Sequence, residues 1–577
     1  MPNSEFAPRA RCTLLAILLL LGAGMTSPRL VTASAIASSA ASSAAAPWWN
    51  SAVIYEIYPR SFQDSDGDGI GDLKGVTQRL DYLKRLGVDA IWLTPFFPSP
   101  NFDFGYDVSD YTDVGPEYGT LADWDELVRE ADKRGIRILV DFVVNHTSEK
   151  HPWFKESRSS RDNPRRDWYV WRDGKNGEPP NHWLSIFGGY TWTLDPTTGQ
   201  WYYHIFAPQQ PDLNWRSPGV RAAMFDVARF WLRRGASGFR LDATPYLYED
   251  PEFPEDPSPQ TGAPVWLKPY NAARPETHDV LRELRAVLDG FPGAPVLLGE
   301  STTQSIEDLA AIYGKDHDEI QLPMDFMFGG LHALDAAAFK KQVDAAQLQL
   351  GGQTPVFFFS SHDHHRQWSS FGDGPHNDRI AKLTAALTLT QRGAVLLYYG
   401  EEIGMGDLPA GALENFPLGP KRPRADARDV ERAPMQWTGG PGAGFTTGAP
   451  WLPIDRGARR RNVAAQQATP GSIYRWYSDL LRLRHEQAAF REGEYVPLDS
   501  GNPKVFAFAR RTSDGQGALV VLNASGERQT VRITGLTGKW PRFGGTLLTS
   551  PGAPAPATAH FKIAPFGSMI AEFQPRR

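Results

Sequence analysis

The segment GFRLDAT, residues 238–244, has the composition of a buried strand that ends on a carboxylate. Side chains alternate between the two faces of a strand, so Arg240 and Asp242 point to the same side. Burying a carboxylate alone is costly, whereas a neighbouring guanidinium keeps it ionised. This segment alone allows two interpretations, a structural ion pair at a strand end or a nucleophilic aspartate held by its arginine.

Strand-like and helix-like segments alternate on both sides of residues 238–244. Short apolar runs, which are strand candidates, lie at 53–58, 88–93, 136–142, 239–242, 295–300, 320–324, 356–359 and 394–399. Segments with helical periodicity lie at 72–86, 120–134, 217–234, 276–289, 304–313, 335–349 and 378–391. Strands that alternate with helices form parallel sheets. Eight strand candidates, most of them followed by a helix, predict an α/β protein of the (β/α)8 TIM-barrel type.

Two segments depart from this alternation. Residues 147–214 are rich in Trp, Pro, Gly, Asn and Asp and show little helical periodicity, which predicts a domain inserted after strand three. From about residue 490, short β-like runs separated by Gly, Pro and Asn predict a C-terminal antiparallel β-sandwich. The predicted organisation is a leader over 1–46, a barrel over 47–146 and 215–489, an inserted domain over 147–214 and a C-terminal domain over 490–577.

The N-terminal segment has the pattern of a signal peptide. Arg9 and Arg11 precede a short apolar run at 14–21, and small residues follow at 33–35. An Ala- and Ser-rich stretch at 36–46 indicates a flexible leader. We therefore expect a secreted or periplasmic protein with no membrane contact after cleavage; an uncleaved anchor is the alternative. The single cysteine, Cys12, lies in this segment, so cleavage would leave a mature protein without disulfides.

The overall composition is ordinary for a soluble globular protein, with 577 residues of which 41% are hydrophobic and 22% charged. A formal net charge of −6 gives no indication of a nucleic-acid partner or an anionic membrane surface. The sequence also gives no indication of an obligatory protein partner.

Charged residues follow several of the predicted strands. In a barrel of this type, functional side chains gather at the carboxyl ends of the strands. Those ends carry Asp242 beside Arg240, then Glu300, then Asp363 beside His362. Converging carboxylates shift each other's pKa values, and glycoside cleavage needs one ionised and one protonated carboxyl group. A metal site is the alternative, because Asp, Glu and His also bind metals, but no His-x-x-x-His spacing supports it.

Several motifs occur in an order that is typical of one enzyme family. They are DFVVNHT (141–147), QPDLNW (210–215), GFRLDAT (238–244), LLGES (297–301), SSHDHHR (360–366), YGEEIGM (399–405) and APMQW (433–437). With these motifs the chain resembles the α-amylase superfamily of glycoside hydrolases. The resemblance is to the branch of oligosaccharide α-glucosidases and oligo-1,6-glucosidases, and it runs from about Trp48 to the end of the chain.

The resemblance implies a role for each matching residue. Asp242 corresponds to the nucleophile that forms a covalent glycosyl-enzyme, Glu300 to the general acid/base and Asp363 to the carboxylate that stabilises the transition state. The residues expected to bind the sugar are Asp103, Tyr106, His146, Arg240, His362 and Arg366. Among them, Arg366 is expected to clamp the glucose at the cleavage point. The implied ligand is a small oligosaccharide.

Three features bear on specificity. The usual pattern of the branch at this place is Asn-His-Asp-Gln-Pro-Arg, and here the segment is Ser361-His362-Asp363-His364-His365-Arg366. His362 and Asp363 are kept, whereas residues beside them differ. Ala243 stands where Val accompanies α-1,6 cleavage in the branch and where Ala or Thr accompanies α-1,4 cleavage. Residues 238–250 also resemble trehalose synthases of the same superfamily.

These features together predict a retaining, exo-acting α-glucosidase that prefers maltose-type α-1,4 substrates. A trehalose synthase that isomerises maltose and an oligo-1,6-glucosidase are the alternatives, and transglycosylation can accompany hydrolysis. A non-catalytic binding homologue is a more remote alternative. That alternative predicts the loss of a carboxylate, and Asp242, Glu300 and Asp363 are all present.

A second group of acidic residues follows the first predicted strand. Asp64, Asp66, Asp68 and Asp72 with the backbone carbonyl of Ile70 supply oxygens at positions 1, 3, 5, 9 and 7 of a Gly-containing loop. Hard oxygen ligands in that order suit Ca²⁺, although the twelfth position is glycine rather than the glutamate of an EF-hand. This loop binds Ca²⁺ in the family branch, so the resemblance implies a structural calcium ion. Mg²⁺ and an acidic turn without an ion are the alternatives.

Overall fold

The structure is a computed structural model that describes residues 46–256, 268–414, 416–419, 422, 424–535, 542–551 and 559–574. For residues 542–544 and 574 it describes the backbone only. The described residues from Pro47 onward form one compact unit. The predicted signal peptide, including Cys12, lies outside the described residues. In the part of the chain that is described, no helix combines the length and the apolar character that crossing a membrane requires.

The first part of the barrel alternates strands and helices as predicted. Its elements are β1 (Val53–Ile57), α1 (Pro59–Phe62), α2 (Leu73–Leu86), β2 (Ala90–Leu93), α3 (Leu121–Asp132) and β3 (Arg137–Val143). The Asp72 side chain caps α2 by accepting from the Gly75 N–H, and α2 ends at Gly87 in the left-handed conformation. A capping box of Thr120 and Asp123 starts α3. Local sequence therefore fixes the helix boundaries.

The segment after β3 leaves the barrel and forms a small sheet of its own. It contains α4 (Pro152–Ser157), β4 (Trp171–Arg172), β5 (Trp192–Asp195) and β6 (Gln200–Tyr203), and the three strands pair antiparallel in the order β4-β6-β5. Aromatic rings hold it together, with Phe154 stacked on Trp171 at a ring distance of 5.7 Å. Leu213 then returns the chain to the barrel by donating its N–H to the Asn145 carbonyl.

The barrel resumes with the remaining strands and helices. They are α5 (Pro218–Arg233), β7 (Gly238–Asp242), α6 (Glu276–Asp289), β8 (Val296–Gly299), α7 (Ile306–Ala311), β9 (Leu322–Pro323), α8 (Phe326–Gly329), α9 (Ala336–Gln349), β10 (Val356–Phe357), α10 (Gln367–Ser370), α11 (Asn377–Leu389) and β11 (Ala394–Tyr398). The strand order is β10-β11-β1-β2-β3-β7-β8-β9, and neighbouring strands pair parallel. The nearly closed sheet confirms the predicted (β/α)8 barrel.

The barrel interior is apolar over most of its length and carries charged side chains toward the carboxyl ends of β1, β3 and β7, namely Glu56, Asp141 and Arg240. Inward-facing side chains such as Ile54, Trp92 and Leu298 form one buried cluster. β7 instead sends Arg240 inward, with its guanidinium 4.9 Å from the centre of the Trp92 indole. β7 approaches β8 closely at Gly238, where an added Cβ would lie 2.1 Å from the Val296 carbonyl oxygen.

The C-terminal part is antiparallel, as predicted. After α12 (Val463–Ala468), α13 (Ile473–Glu486) and α14 (Ala488–Arg491), it contains β12 (Glu494–Pro497), β13 (Val505–Arg511), β14 (Gly517–Asn523), β15 (Gln529–Arg532), β16 (Arg542–Thr549), β17 (His560–Ile563) and β18 (Ser568–Gln574). One sheet has the order β12-β13-β14-β18-β16, and β15 pairs with β17 in a second. β12, β16 and β17 were not predicted, because they are short, half-exposed or interrupted by glycines.

Candidate active site

One arginine joins three carboxylates at the carboxyl ends of β3, β7 and β8. Arg240 Nη1 lies 3.0 Å from Asp141 Oδ1 and 2.6 Å from Asp242 Oδ1. Its Nη2 lies 2.9 Å from Glu300 Oε2. The fixed fork of a guanidinium suits such simultaneous contacts. The structure thus brings the predicted nucleophile and the predicted acid/base to the same cation.

The charge state of Asp242 depends on this contact. Burial raises the pKa of Asp242 well above its usual range, Arg240 opposes that rise, and Glu300 and Asp141 add to it. A cation in direct contact offsets part of the cost of a buried carboxylate. Arg240 is therefore the group that favours the ionised, nucleophilic form of Asp242.

Asp363 follows β10 and is surrounded by cations. His362 Nε2 lies 3.2 Å from its Oδ2, and Arg428 Nη1 and Arg432 Nη2 lie 2.9 Å and 2.8 Å from its Oδ1. Burial alone would raise the pKa of Asp363, but His362, Arg428 and Arg432 together hold it well below its usual range. Asp363 is therefore an ionised carboxylate at neutral pH.

His362 lies between Asp363, Glu56 and Tyr106. Its Nδ1 lies 2.7 Å from Glu56 Oε1, and its ring stacks on the Tyr106 ring at a centroid distance of 5.2 Å. Burial lowers the pKa of His362, but Asp363 and Glu56 outweigh that effect and raise it to about 9. A protonated His362 can thus hold both carboxylates in place at neutral pH.

These groups open into one pocket of about 380 Å³, within the range of small-molecule sites. Aromatic and polar side chains line it, among them Asp103, Tyr106, His146, Phe187, Phe206, Gln210, Asp242, Ala243, Tyr246, Glu300, Thr302, Phe326, Asp363, His364 and Arg428. Flat apolar rings beside fixed polar groups suit a sugar, whose faces are apolar and whose edges carry hydroxyls.

A charged bridge forms part of the pocket wall. Arg428 Nη2 lies 2.5 Å from Asp103 Oδ1 while its Nη1 contacts Asp363, and Gln210 Nε2 donates to Asp103 Oδ2 at 3.0 Å. His146 lies next to Gln210, and burial lowers the pKa of His146 to about 4, so this ring is neutral at physiological pH. The bridge offers both donors and acceptors to a terminal sugar ring.

Ala243 and Thr244 hold Glu300 in position through hydrogen bonds. This residue adopts the left-handed conformation, with φ 52° and ψ 36°, directly after β7. Its N–H donates to Glu300 Oε2 at 2.9 Å, and the Thr244 hydroxyl donates to the Glu300 carbonyl oxygen at 2.5 Å. A non-glycine residue in this region is strained, and the two hydrogen bonds to Glu300 accompany that strain.

Arg366 does not occupy the predicted position at the sugar, and this expectation is corrected. Its side chain is buried away from the pocket, with Nε donating to the Glu431 carbonyl at 2.9 Å and Nη1 donating to the Tyr399 carbonyl at 2.6 Å. The guanidinium packs 4.4 Å from the centre of the Tyr398 ring. The arginines that contact Asp363 are Arg428 and Arg432.

Sequence reasoning missed Arg428 and Arg432. They lie in the irregular segment 406–456, where neither strand nor helix periodicity predicts the direction of a side chain. The only available signal was their spacing of one helical turn immediately before the APMQW motif at 433–437.

The acidic loop after β1 gathers three of its four aspartates. Carboxylate oxygens of Asp64, Asp66 and Asp72 lie within 4.8 Å of one another. Asp64 also accepts from the N–H groups of Gly67 at 2.7 Å and Gly69 at 2.8 Å, which shapes the loop. The Asp68 side chain accepts from the Ile70 N–H at 2.7 Å and stands apart from the group of three. This all-oxygen set fits a hard divalent cation.

The chain is similar to known enzymes over most of its length. A model described as the α-amylase catalytic domain matches residues 56–493. The chain is 38% identical over 522 residues to an oligo-1,6-glucosidase of Parageobacillus thermoglucosidasius, covering 84% of this chain and 92% of that protein. It is 41% identical over 488 residues to a probable α-glucosidase of Rhizobium meliloti (strain 1021), covering 80% of this chain and 88% of that protein.

Solved structures agree with these relatives. The trehalulose synthase of Pseudomonas mesoacidophila MX-45 superposes with a TM-score of 0.83 at 37% identity, covering 92% of this chain and 100% of that one. A structure of a mutant of that enzyme contains its substrate sucrose. A barrel with carboxylates at its strand ends and these relatives define a glycoside hydrolase. The chain belongs to the α-amylase family, in the branch of oligosaccharide α-glucosidases and oligo-1,6-glucosidases.

Proposed function

We propose that the protein is a retaining, exo-acting α-glucosidase that hydrolyses short α-glucosides of the maltose type. The observation that carries the proposal is the contact of one guanidinium, Arg240, with both Asp242 and Glu300. Retention needs a nucleophile and an acid/base as close neighbours, roughly 5 Å apart, so that the first can attack the anomeric carbon directly.

In the proposed first step, Glu300 donates its proton to the glycosidic oxygen while an Asp242 oxygen attacks the anomeric carbon of the terminal glucose. The bond to the leaving sugar breaks, and the electron pair goes to the protonated oxygen. A glucosyl ester on Asp242 results. In the second step, Glu300 takes a proton from water, the water oxygen attacks the same carbon, and Asp242 leaves as a carboxylate.

Ionised Asp363 supports this mechanism. The transition state carries positive charge near the anomeric carbon, and a fixed negative charge in the pocket stabilises it. The same carboxylate can accept hydrogen bonds from sugar hydroxyls. His362, Arg428 and Arg432 keep Asp363 ionised and hold its position.

Exo action is proposed from the bridge of Asp103 and Arg428, whose side chains both line the pocket. We place the terminal glucose against this bridge, so that a chain end can enter the pocket, whereas the middle of a polysaccharide cannot. The α-1,4 preference rests on Ala243, which lines the pocket beside the nucleophile and whose small side chain resembles that of the α-1,4-specific members of the branch.

Isomerisation is the second candidate function. It is favoured by the likeness to trehalulose synthase structures at a TM-score of 0.83. The aromatic side chains of Phe187, Phe206 and Phe326 also line the pocket. If these rings keep the released sugar bound in the pocket, transfer of the glucosyl group to a hydroxyl of that sugar is favoured over hydrolysis. In that case sucrose, the substrate named for one of those structures, would give an isomeric disaccharide, and maltose would give trehalose.

Product analysis tests the choice. The protein is incubated separately with maltose, isomaltose and sucrose, and the products are separated by chromatography, with the Asp242→Asn variant as the control. We expect glucose as the main product from maltose and slower release from isomaltose. Trehalose as the main product from maltose would contradict the hydrolase proposal, and preferred cleavage of isomaltose would contradict the α-1,4 preference.

We further propose that the loop of Asp64, Asp66 and Asp72 binds a structural Ca²⁺ ion, with Asp68 and the Ile70 carbonyl as additional ligands. Support comes from the three carboxylates within 4.8 Å of one another. An ion that binds only the folded protein raises its melting temperature in a concentration-dependent way. We expect Ca²⁺ to raise the melting temperature of the chelator-treated protein and to have no such effect on the Asp66→Asn variant.

Export is proposed from the N-terminal pattern alone. The charged start, apolar run and small-residue segment of residues 1–46 support cleavage near residue 35. N-terminal sequencing of the protein recovered from the periplasm or the medium tests this, and recovery of the intact N-terminus in the cytoplasm would contradict it.

A further inference from the structure

Three potential metal ligands meet at a place outside the pocket. His365 Nδ1 lies 2.9 Å from Asp407 Oδ2 and 3.7 Å from Glu431 Oε2. One ligand atom from each residue lies within 4.8 Å of the other two. Ligands bound tetrahedrally at about 2.0–2.1 Å lie roughly 3.3 Å apart, so the separations from His365 bracket the value that one shared ion needs.

Glu431 is the unusual member of this group. Its side chain is only 3% exposed, and among the described residues its Oε2 has no hydrogen-bond partner. A buried carboxylate oxygen without a partner costs free energy, and native proteins rarely leave one unless water or an ion binds it. Oε2 faces His365 at a distance too long for a hydrogen bond and suitable for a shared cation.

We propose that His365, Asp407 and Glu431 form a binding site for a divalent first-row transition-metal ion of the Zn²⁺ class. One imidazole and two carboxylates are a ligand set that Zn²⁺ accepts, and the imidazole disfavours Mg²⁺ and Ca²⁺, which prefer oxygen alone. The His365 side chain is 67% exposed, so an ion can enter from solvent and keep one or more water ligands.

The surroundings hold two of the ligands in place. The Arg366 N–H donates to Asp407 Oδ1 at 2.9 Å, which turns Oδ2 toward His365. The Arg366 guanidinium fixes the Glu431 backbone through its carbonyl at 2.9 Å. Partners behind the ligands commonly orient metal sites in this way. The buried arginine that does not reach the sugar therefore acts as a positioning residue for this site.

The site also lies next to the groups that hold Asp363. His365 follows Asp363 by two residues, and Glu431 lies between Arg428 and Arg432, which both contact Asp363. A bound ion would join the segment after β10 to the segment that carries these arginines. Its binding is therefore expected to stabilise the pocket wall without contacting the sugar.

Calorimetric titration of the full-length protein with ZnCl₂ tests the proposal. Excess CaCl₂ is present throughout, so that the loop of Asp64, Asp66 and Asp72 is occupied. The variants are His365→Ala, which changes an exposed side chain, and Glu431→Gln. The matched control is His376→Ala, which removes a partly exposed histidine that pairs with Asp373 at 2.7 Å on the surface.

We expect one Zn²⁺ ion per chain in the parent and in His376→Ala, with at least tenfold weaker binding in both His365→Ala and Glu431→Gln. The melting temperature should rise with Zn²⁺ in the first two proteins and stay unchanged in the others. Absence of Zn²⁺ binding by the parent, or equal binding by the parent and His365→Ala, would overturn the proposal. His365 and Asp407 would then form an ordinary ion pair.

Discussion

Arg240 and Asp242 face the same side of β7 and are joined by a contact of 2.6 Å between Nη1 and Oδ1. The pairing follows from the alternation of side chains along a strand, since residues two apart share a face. It places a cation against a carboxylate that is otherwise buried. The carboxylates of Asp141 and Glu300 contact the same guanidinium.

Replacement of Arg240 by lysine should impair catalysis far more than folding. An ammonium lacks the fixed fork with which Nη1 of Arg240 contacts Asp141 and Asp242 while Nη2 contacts Glu300, so the Asp242 carboxylate loses support for its ionised form. We expect kcat/KM for maltose to fall about 100-fold or more, the scale of losing one preorganised charge contact. The acidic limb of the pH profile should move to higher pH, because the pKa of Asp242 rises further.

The matched control for this change is Arg229→Lys on α5, where Arg229 pairs with Asp226 within its own helix. It should retain the parental profile. An unchanged acidic limb in Arg240→Lys would show that Arg240 does not set the charge state of the nucleophile.

Arg428 and Arg366 should respond differently to the same substitution. Arg428→Lys weakens the bridge between Asp103 and Asp363, and charge-assisted hydrogen bonds contribute about 1.5–3 kcal/mol each. We therefore expect KM for maltose to rise about tenfold or more. Arg366→Lys should lower the melting temperature, because buried carbonyls lose their donors, while KM changes less than twofold. The reverse pattern would restore Arg366 to the sugar-binding role predicted from the sequence.

Stability at high pH should depend on His362. Its pKa is raised to about 9 in the folded protein, above the unfolded value of about 6.5. A raised pKa contributes stability that is complete below the unfolded value and is lost as the pH rises through the folded value. The melting temperature should therefore fall between about pH 7 and pH 10.

Glu56→Gln should move this fall to lower pH, because it removes one of the two carboxylates that raise the pKa of His362. Glu402→Gln is the matched control, since Glu402 is another buried acid, which accepts a hydrogen bond from the Tyr55 hydroxyl at 2.9 Å. Identical pH dependence in the parent and Glu56→Gln would contradict this account of His362.

Ala243 should control linkage preference at some cost in stability. Valine at this position adds a branched side chain beside the nucleophile, in a left-handed conformation that β-branched residues rarely adopt. We expect Ala243→Val to raise the isomaltose-to-maltose ratio of kcat/KM at least tenfold and to lower the melting temperature. Ala243→Gly, which relieves strain of about 1–2 kcal/mol, should keep the maltose preference. Equal ratios in all three proteins would remove Ala243 from the account of specificity.

The parts of the fold that follow from periodicity were predictable from the sequence. Barrel strands such as Val53–Ile57 and Gly238–Asp242 are short apolar runs between amphipathic helices, and the structure has them within one or two residues of the prediction. Arg542–Thr549 was missed because its two central glycines read as a turn. Elements with a regular apolar pattern are therefore predictable from the sequence. A strand that is defined mainly by its pairing with other strands is not.

The site residues that follow barrel strands were predictable from the sequence. Those that reach the pocket from loops were not. Asp242 and Glu300 follow strands whose carboxyl ends must meet, so their proximity follows from topology. Arg428 reaches the pocket from an irregular segment, and a motif could not tell that the Arg366 side chain turns toward Tyr399 and away from Asp363. Side-chain direction in loops is set by tertiary contacts that no local pattern encodes.

The most direct test of the central claim is detection of the covalent intermediate on Asp242. The Glu300→Gln variant is incubated with α-glucosyl fluoride, whose leaving group needs no acid, so the ester can form while its hydrolysis lacks a base. Mass spectrometry of the peptide that contains residues 238–244 then locates the adduct. The account predicts one glucosyl unit on Asp242, absent when Asp242→Asn is added. An adduct on another residue, or rapid turnover that releases β-glucose first, would contradict a retaining mechanism through Asp242.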